Sequence, residues 1–260
     1  MARELRRLLI EPGRLPSQGR QLELQQAERH YLGRVLRLRS GDRFAVVDGA
    51  GRLWTAVLAE VAAELEQAMD QPLEQQPMPD PRLTLAVAMP RRDGEVMARM
   101  ACELGIDALL PLQAERSSTG ERLRPERLGA ILREAAEQCE RLWLPELLSP
   151  QPAKALLGAV PAGVGLLATT RAAGLPLLDQ VLAAAAMEAS GRCRQGITLA
   201  IGAEGGWSPE EEALATAAGW KPVSLGPSIL RVSTAAVAGT AALVRWRLGL
   251  TCPSCSWPSP

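Results

Sequence analysis

The chain has 260 residues, of which 47% are hydrophobic and 22% are charged, and its formal net charge is zero. This length is enough for one large domain or two modest ones with a buried core. The balanced charge excludes capture of nucleic acid by the protein's overall charge, while a local basic patch stays open. The sequence contains no 18-residue apolar run and no signal-peptide pattern, so we expect a cytoplasmic protein without a membrane span.

Five cysteines and one histidine, His30, are the candidate soft metal ligands of the chain. Cys252 and Cys255 form a lone CxxC pair in the tail at 251–260, and a zinc site would need two further ligands. We therefore predict no metal and free cysteine thiols. The residue types also disfavour metal-dependent hydrolysis and thiol proteolysis, because neither a second histidine nor a Cys–His pair is present.

The N-terminal part of the chain has the pattern of β-structure. Residues 43–61 alternate in character on either side of Asp48-Gly49 and Ala50-Gly51, which predicts a hairpin. We expect a small β-barrel over residues 1–70. The stretch 67–82 is rich in proline and glutamine and breaks both periodicities, so we predict a linker with bounds 71–82.

Strand and helix patterns alternate after the linker. Short apolar runs at 83–90, 107–112, 164–170, 196–202 and 222–226 predict strands. Helical patterns fall near 94–104, 125–142, 175–190, from Pro209 onward, and at 234–249 with Gly249 as the stop. This alternation predicts an α/β domain with a mostly parallel sheet over residues 83–250.

The strand at 196–202 ends in the turn Gly-Ala-Glu-Gly-Gly, residues 202–206, and Ser208-Pro209-Glu210-Glu211 then forms a capping box that starts a helix. Ligands of open α/β sheets lie on loops of this kind. The turn lacks a phosphate-binding lysine, and Glu204 would repel phosphate, so it suits an uncharged or cationic ligand. The alternative is a tight turn whose glycines supply positive φ while Glu204 faces solvent.

A second loop of the same type follows the next strand. Residues 224–243 read as a strand end, a Leu-Gly-Pro turn and a helix with a polar cap. Two such loops after neighbouring strands can converge on one ligand, which favours a binding site over a plain turn.

The two loops, IGAEGGWSPEE and LGPSILRVSTAA, resemble the paired signature loops of the RsmE-type 16S ribosomal RNA (uracil-N3)-methyltransferases of the SPOUT superfamily. Segments 29–42, 103–117 and 137–147 are similar to further ordered motifs of that family. The resemblance covers nearly the whole chain. It implies S-adenosylmethionine as cofactor, N3 of a uridine in 16S rRNA of the small ribosomal subunit as target, a PUA-like N-terminal barrel, a deep trefoil knot and a homodimer.

The resemblance also implies the site residues. Arg231 is expected to stabilise the uracil anion, with a plain ion pair as the alternative, and Glu204 to orient the substrate or lie near the sulfonium. RNA contacts are expected at His30, Arg34 and Arg37 of the barrel and at Arg116 and Arg141 of the α/β domain, with solvated surface charges as the alternative. The cofactor residues implied are Leu167, Thr169, Ile201, Gly202, Glu204, Gly205, Gly206, Leu225, Gly226, Ile229, Leu230, Ser233 and Thr234.

The chain departs from the family pattern at several charged positions. Ser228 replaces an arginine, Ser233 the glutamate of a Glu-Thr pair, Met100 a lysine, and Ala203 a proline. These departures leave two other functions open. One is a related SPOUT enzyme with another RNA target, and the other is a cofactor-binding RNA-binding protein with weak activity.

Overall fold

A computed structural model of the chain describes residues 5–16, 19–117, 124–170, 174–187 and 195–251. The chain forms two compact units. The first consists of Met1–Met78 and Arg133–Leu144, and the second of Pro79–Leu132 and Pro145–Pro260. The prediction about the tail that holds Cys252 and Cys255 lies outside the described residues.

The first unit is built on a β-sheet. Its elements are β1 (Arg7–Leu9), a short 3₁₀ turn (Pro12–Arg14), β2 (Gln21–Glu23), α1 (Gln26–His30), a wide helical turn (Tyr31–Val35), β3 (Arg43–Val47), β4 (Arg52–Leu58), β5 (Ala62–Leu65) and β6 (Glu74–Gln75). The strand order is β1-β3-β4-β5-β2, and β6 pairs with β4. β3 and β4 pair antiparallel, which confirms the predicted hairpin.

Apolar side chains from alternate strand positions fill the core of this unit. Phe44, Val46, Trp54 and Leu22 are fully buried together in one cluster. The Trp54 indole N–H donates to the carbonyl of Ala68 at 3.2 Å, so the only polar atom of this large side chain is satisfied. One face of the hairpin therefore packs in this cluster, and the other face, which carries Ala45, Val47 and Leu53, is buried in a second cluster.

The segment predicted as a linker makes backbone contacts in the first unit. Glu74–Gln75 form β6, and the backbone N–H of Gln76 donates to Gly51 O at 2.8 Å. Gly51 permits this approach, because a Cβ there would lie 2.5 Å from Gln76 O. The proline and glutamine content of the segment does not predict this pairing, because the pairing depends on backbone groups of β4 that are distant in sequence.

The second unit is the predicted α/β domain. Its elements are β7 (Leu83–Ala88), α2 (Gly94–Leu104), β8 (Ala108–Gln113), α3 (Pro125–Gln138), β9 (Glu146–Leu147), β10 (Gln151–Pro152), α4 (Ala153–Leu157), β11 (Val164–Ala168), α5 (Leu178–Met187), β12 (Ile197–Ile201), α6 (Pro209–Ala217), β13 (Lys221–Val223) and α7 (Val232–Thr251). All five predicted strands are present. β9, β10 and α4 were not predicted, since each is shorter than the patterns that identify an element.

The sheet of the second unit has the order β10-β8-β7-β12-β11-β13, and every strand pair in it is parallel. β9 also pairs in parallel with β8. The carboxyl ends of β12, β11 and β13 therefore lie side by side. The knot implied by the family resemblance stays a prediction.

Two helix ends differ from the predicted ones. The helix predicted to run to residue 142 ends at Gln138, because Glu140 takes a left-handed conformation with φ 63°. Helix α7 continues past the predicted stop at Gly249 to Thr251. A Cβ at Gly249 would meet nothing within 4 Å, so no close packing requires glycine at that position.

Residues 133–144 belong to the first unit, so α3 is divided between the two units, with 125–132 in the second and 133–138 in the first. Arg7 donates to the carbonyl of Glu140 at 2.7 Å, and the backbone N–H of Leu9 donates to the carboxylate of Glu137 at 2.8 Å. This placement corrects the expected position of Arg141, which lies in the first unit and not in the α/β unit. The bonds to β1 are long-range contacts that local sequence patterns do not encode.

No helix among the described residues is both long and apolar enough to cross a membrane. Across the same residues, no group of three or more histidine, cysteine or acidic side chains is arranged to hold a metal ion. The Cys102 thiol donates to the carbonyl of Leu132 at 3.5 Å, and the Cys139 thiol donates to the carbonyl of Ala136 at 3.9 Å.

Candidate functional site

A pocket opens at the carboxyl ends of the three adjacent strands β11, β12 and β13. The loops that follow these strands supply most of its wall, and the first turns of α6 and α7 complete it. Its lining residues are Ala168, Thr169, Thr170, Ile201, Gly202, Ala203, Glu204, Gly206, Trp207, Glu212, Leu225, Ser228, Ile229, Leu230, Val232 and Ala235. The two glycine loops therefore converge as predicted, although β11 lies between the strands β12 and β13 that precede them.

Glycine fits three positions in the first loop, and the structural reason is not the same at all three. A Cβ at Gly202 would lie 3.0 Å from the Trp207 ring, and one at Gly205 would lie 2.9 Å from the Cβ of Arg116. Gly206 alone of the three has a positive φ, at 73°. Two of the glycines thus permit close approach by a neighbouring side chain, and only Gly206 fits the sequence argument from positive φ.

Trp207 fixes the floor of the pocket. Its side chain is 4% exposed and packs in a core cluster with Leu167, Ala200 and Ala203. Its indole N–H donates to the carbonyl of Ala168 at 2.9 Å. This bond ties the loop after β12 to the end of β11, so Trp207 both packs in the core and lines the pocket.

The predicted capping box is present at the start of α6. The Ser208 hydroxyl accepts from the Glu211 N–H at 3.2 Å, and the Glu211 carboxylate accepts from the Ser208 N–H at 2.8 Å. Glu211 is fully buried, and its second oxygen accepts from the Glu115 N–H at 2.9 Å. The cap therefore also fixes the loop after β8.

The side chains that line the pocket carry negative charge. Glu204 is exposed on the first loop, and Glu212 reaches from α6 to accept a hydrogen bond from the Thr169 hydroxyl at 3.1 Å. No lysine or arginine is among the described lining residues. The electrostatics therefore disfavour a phosphate group and suit a ligand with positive charge.

Most of the cofactor residues implied by the resemblance line this pocket, namely Thr169, Ile201, Gly202, Glu204, Gly206, Leu225, Ile229 and Leu230. The others lie beside it: Leu167 is buried in the core, Gly205 packs on Arg116, Gly226 is in the turn after β13, and Ser233 and Thr234 are in the first turn of α7. The pocket is also lined by residues that are not among the expected cofactor residues, namely Ala168, Thr170, Ala203, Trp207, Glu212, Ser228, Val232 and Ala235.

Arg231 is not itself a lining residue of the pocket but is flanked by two that are. Its neighbours Leu230 and Val232 line the pocket, and its carbonyl accepts from the Ala235 N–H at 2.8 Å at the start of α7. The Arg231 side chain is exposed and forms no ion pair with any other described residue. The role of Arg231 expected from the resemblance stays a prediction.

The predicted RNA-contact residues are divided between the two units. His30, Arg34 and Arg37 are exposed in the first unit, at the end of α1 and in the wide turn and loop that follow. Arg141 is half-buried in the same unit. Arg116 lies in the second unit, where its guanidinium donates to carbonyls of the pocket loop.

This fold and pocket define an α/β protein whose ligand site lies at the carboxyl edge of a parallel sheet, joined to a smaller β unit. A family model described as an RNA methyltransferase domain matches residues 76–244, and one described as an RNA methyltransferase PUA domain matches residues 24–66.

Named relatives agree with both models. The chain is 42% identical over 217 residues to the ribosomal RNA small subunit methyltransferase E of Synechocystis sp., with 80% of this chain and 68% of the relative covered. It is 30% identical to the Mycobacterium bovis protein of that name, with 88% of each covered. The chain belongs to the ribosomal RNA small subunit methyltransferase E family.

A solved structure supports the fold. The Neisseria gonorrhoeae ribosomal RNA small subunit methyltransferase E, bound to S-adenosyl methionine, superimposes with a TM-score of 0.75 at 26% identity. The superposition covers 92% of this chain and 97% of that one. The likeness therefore extends across both units of the chain and includes the SPOUT-type α/β unit.

Proposed function

We propose that this protein transfers a methyl group from S-adenosylmethionine to N3 of one uridine in the 16S rRNA of the small ribosomal subunit. Membership of the family supports the cofactor and the class of substrate. The observation that carries the proposal is the pocket where the loops after β11, β12 and β13 converge. The uridine and its N3 atom come from the family resemblance.

The residues of the pocket fit this cofactor. Backbone groups of three loops can bond an adenosine, and Ile229, 86% exposed on the pocket wall, offers it an apolar contact. Glu204 and Glu212 supply negative charge near a ligand that carries a sulfonium and an ammonium group. When bound, the cofactor supplies an electrophilic methyl group, which needs positioning and a dry pocket more than further protein chemistry.

The reaction at N3 requires that the uracil lose its N3 proton. The free imide is a weak acid, so a cation that stabilises the uracil anion lowers the barrier. We assign this role to Arg231, whose exposed guanidinium stands between two pocket-lining residues. We assign to Glu204, exposed on the first glycine loop, the orientation of the substrate or an electrostatic contact with the sulfonium.

RNA binding is assigned to the exposed basic residues of the first unit. His30, Arg34 and Arg37 follow one another along α1, the wide helical turn and the loop after it. None of the three side chains is paired with another described residue, so no carboxylate competes with phosphate for them. Arg141 of the same unit is a further candidate contact.

We also infer a homodimer that acts in the cytoplasm, where small subunits are assembled. Helix α2 packs on α7, and Val96, Met100 and Leu248 leave apolar surface on these two helices. A second copy of the chain would cover such a surface. Light scattering of the purified protein distinguishes a dimer from a monomer.

The direct test uses small ribosomal subunits from cells that lack a uridine-N3 methyltransferase. The subunits are incubated with the protein and S-adenosylmethionine, and the digested RNA is examined by mass spectrometry for methylated nucleosides. One 3-methyluridine per subunit is the expected product. A different methylated nucleoside would contradict the proposed target atom, and cofactor binding without any product would favour a weakly active binding protein.

A further inference from the structure

Arg116, which the sequence suggested as an RNA contact, is bonded to the cofactor loop. It lies three residues after the end of β8, and its Nη1 atom donates to the carbonyl of Gly205 at 3.1 Å and to that of Trp207 at 2.8 Å. These two carbonyls flank Gly206, which lines the pocket. One guanidinium nitrogen therefore bonds two carbonyls of the same loop, two residues apart.

Both peptide groups that Arg116 contacts are held at their other end as well. In the peptide that joins Gly205 to Gly206, the N–H donates to the carbonyl of Ala203 at 2.8 Å. In the peptide that joins Trp207 to Ser208, the N–H donates to the buried Glu211 carboxylate at 2.8 Å. The orientation of each peptide plane is thus set by two bonds, and Arg116 supplies one bond to each.

The aliphatic part of the Arg116 side chain packs closely against Gly205. A Cβ at Gly205 would lie 2.9 Å from the Arg116 Cβ and 3.3 Å from its Cδ. Any residue larger than glycine would therefore displace either the loop or the arginine. This contact explains why residue 205 is glycine, since Gly205 does not have a positive φ.

The backbone next to Arg116 is itself anchored. The N–H of Glu115 donates to Glu211 at 2.9 Å, and the Glu115 carboxylate pairs with Lys154 at 3.2 Å. Lys154 also pairs with Glu210 in the first turn of α6. Hydrogen bonds from Ser208 and then Lys154 lower the pKa of Glu115, so its carboxylate stays charged at neutral pH. The loop after β8 is fixed from both sides.

We propose that Arg116 is a positioning residue of the cofactor pocket, which holds the Gly205–Trp207 backbone in its binding conformation. This inference rests on the proposed function, since it takes the pocket to be the S-adenosylmethionine site. In this role the Arg116 side chain bonds the pocket loop, whereas in an RNA-binding role it would bond the RNA. Loss of the guanidinium should weaken cofactor binding even when no RNA is present.

The test compares the wild-type chain with Arg116→Ala, Arg116→Lys and the control Arg127→Ala. Arg127 is also an arginine of the second unit, but it pairs with Glu95 on α2 and not with the loop. The dissociation constant of S-adenosylhomocysteine is measured by calorimetry without RNA, and affinity for small ribosomal subunits is measured without cofactor. Thermal unfolding of each variant is recorded alongside.

We expect Arg116→Ala to weaken S-adenosylhomocysteine about 10- to 100-fold, as the loss of two charge-assisted hydrogen bonds implies. Arg116→Lys should recover part of this loss, because an ammonium group still donates to carbonyls but lacks the planar fork. Arg127→Ala should bind like the wild type. Affinity for ribosomal subunits should be the same in all four proteins. If Arg116→Ala is too unstable to titrate, the test uses Arg116→Lys, whose affinity for S-adenosylhomocysteine should be lower than that of the wild type.

Two results would overturn the inference in different ways. Wild-type affinity for S-adenosylhomocysteine in both Arg116 variants, with weaker binding to ribosomal subunits, would make Arg116 an RNA contact and leave the proposed function intact. Failure of the wild-type chain itself to bind S-adenosylhomocysteine would refute the proposed function and the positioning role together.

Discussion

Glu137 provides a prediction whose sign and size both follow from the structure. Its carboxylate accepts a hydrogen bond from the Leu9 N–H at 2.8 Å within the first unit. Burial raises the pKa of this carboxyl from 4.5 to about 7, against the opposing effects of the Leu9 N–H and of Arg133. The perturbation is Glu137→Gln, which cannot ionise but keeps an oxygen for the Leu9 N–H.

The raised pKa makes the folded protein hold this proton more tightly than the unfolded chain does. The stabilisation is complete below about pH 4.5 and is lost as the pH rises toward 7, since the carboxylate must then ionise in a buried place. The two pKa values, at about 1.4 kcal/mol for each pKa unit, correspond to about 3 kcal/mol. Between pH 5 and pH 8 the wild-type chain should lose about 2–3 kcal/mol more than the Gln variant.

The assay is urea unfolding at pH 5 and pH 8 for the wild-type chain, Glu137→Gln and a control. Glu134→Gln is the control, because Glu134 is exposed on the same helix and its charge raises the pKa of Glu137 less than burial does, so its loss should remove only a small part of the pH dependence. Each variant is compared with the wild type at the same pH, so the titration of other groups cancels. An identical fall in unfolding free energy for the wild type and Glu137→Gln would refute the reasoning.

Three further predictions concern binding and catalysis. Gly202→Ala should weaken cofactor binding by about 1–3 kcal/mol, because the new Cβ would lie 3.0 Å from the Trp207 ring. Calorimetry measures this change. The control is Gly129→Ala, because a Cβ at Gly129 would meet nothing within 4 Å. Arg231→Ala should lower turnover about 100-fold while the cofactor dissociation constant stays unchanged, as single-turnover assays and calorimetry would report. Arg34→Ala should weaken RNA binding and lower the slope of log affinity against log salt concentration by about 1, measured by a salt titration.

Each of these has a contradicting result. Equal cofactor affinity in the Gly202 and Gly129 variants would mean that the contact with the indole does not control the pocket. Turnover that survives Arg231→Ala would remove the anion-stabilising role. An unchanged salt slope in Arg34→Ala would make that arginine a solvated surface charge.

The local elements of the α/β unit could be predicted from the sequence, because their causes are local. Ser208, Pro209 and Glu211 start α6 as their spacing predicts, since a cap involves only residues within one helical turn. The apolar runs that become β7 and β12 are buried on both faces, as parallel strands require. The two glycine loops converge on one pocket, but the strands that precede them, β12 and β13, are not neighbours as the sequence pattern predicted, because β11 lies between them.

The tertiary structure decided what depends on contacts between distant residues. Arg116 and Gly205 are 89 positions apart, so neither residue's local pattern could show that the arginine packs on the glycine and bonds its carbonyl. The assignment of 133–144 to the first unit has the same cause, because Arg7 and Glu140 are 133 positions apart. Periodicity, caps and turns are short-range properties that the sequence alone determines, whereas close packing and long-range hydrogen bonds exist only once the chain has folded.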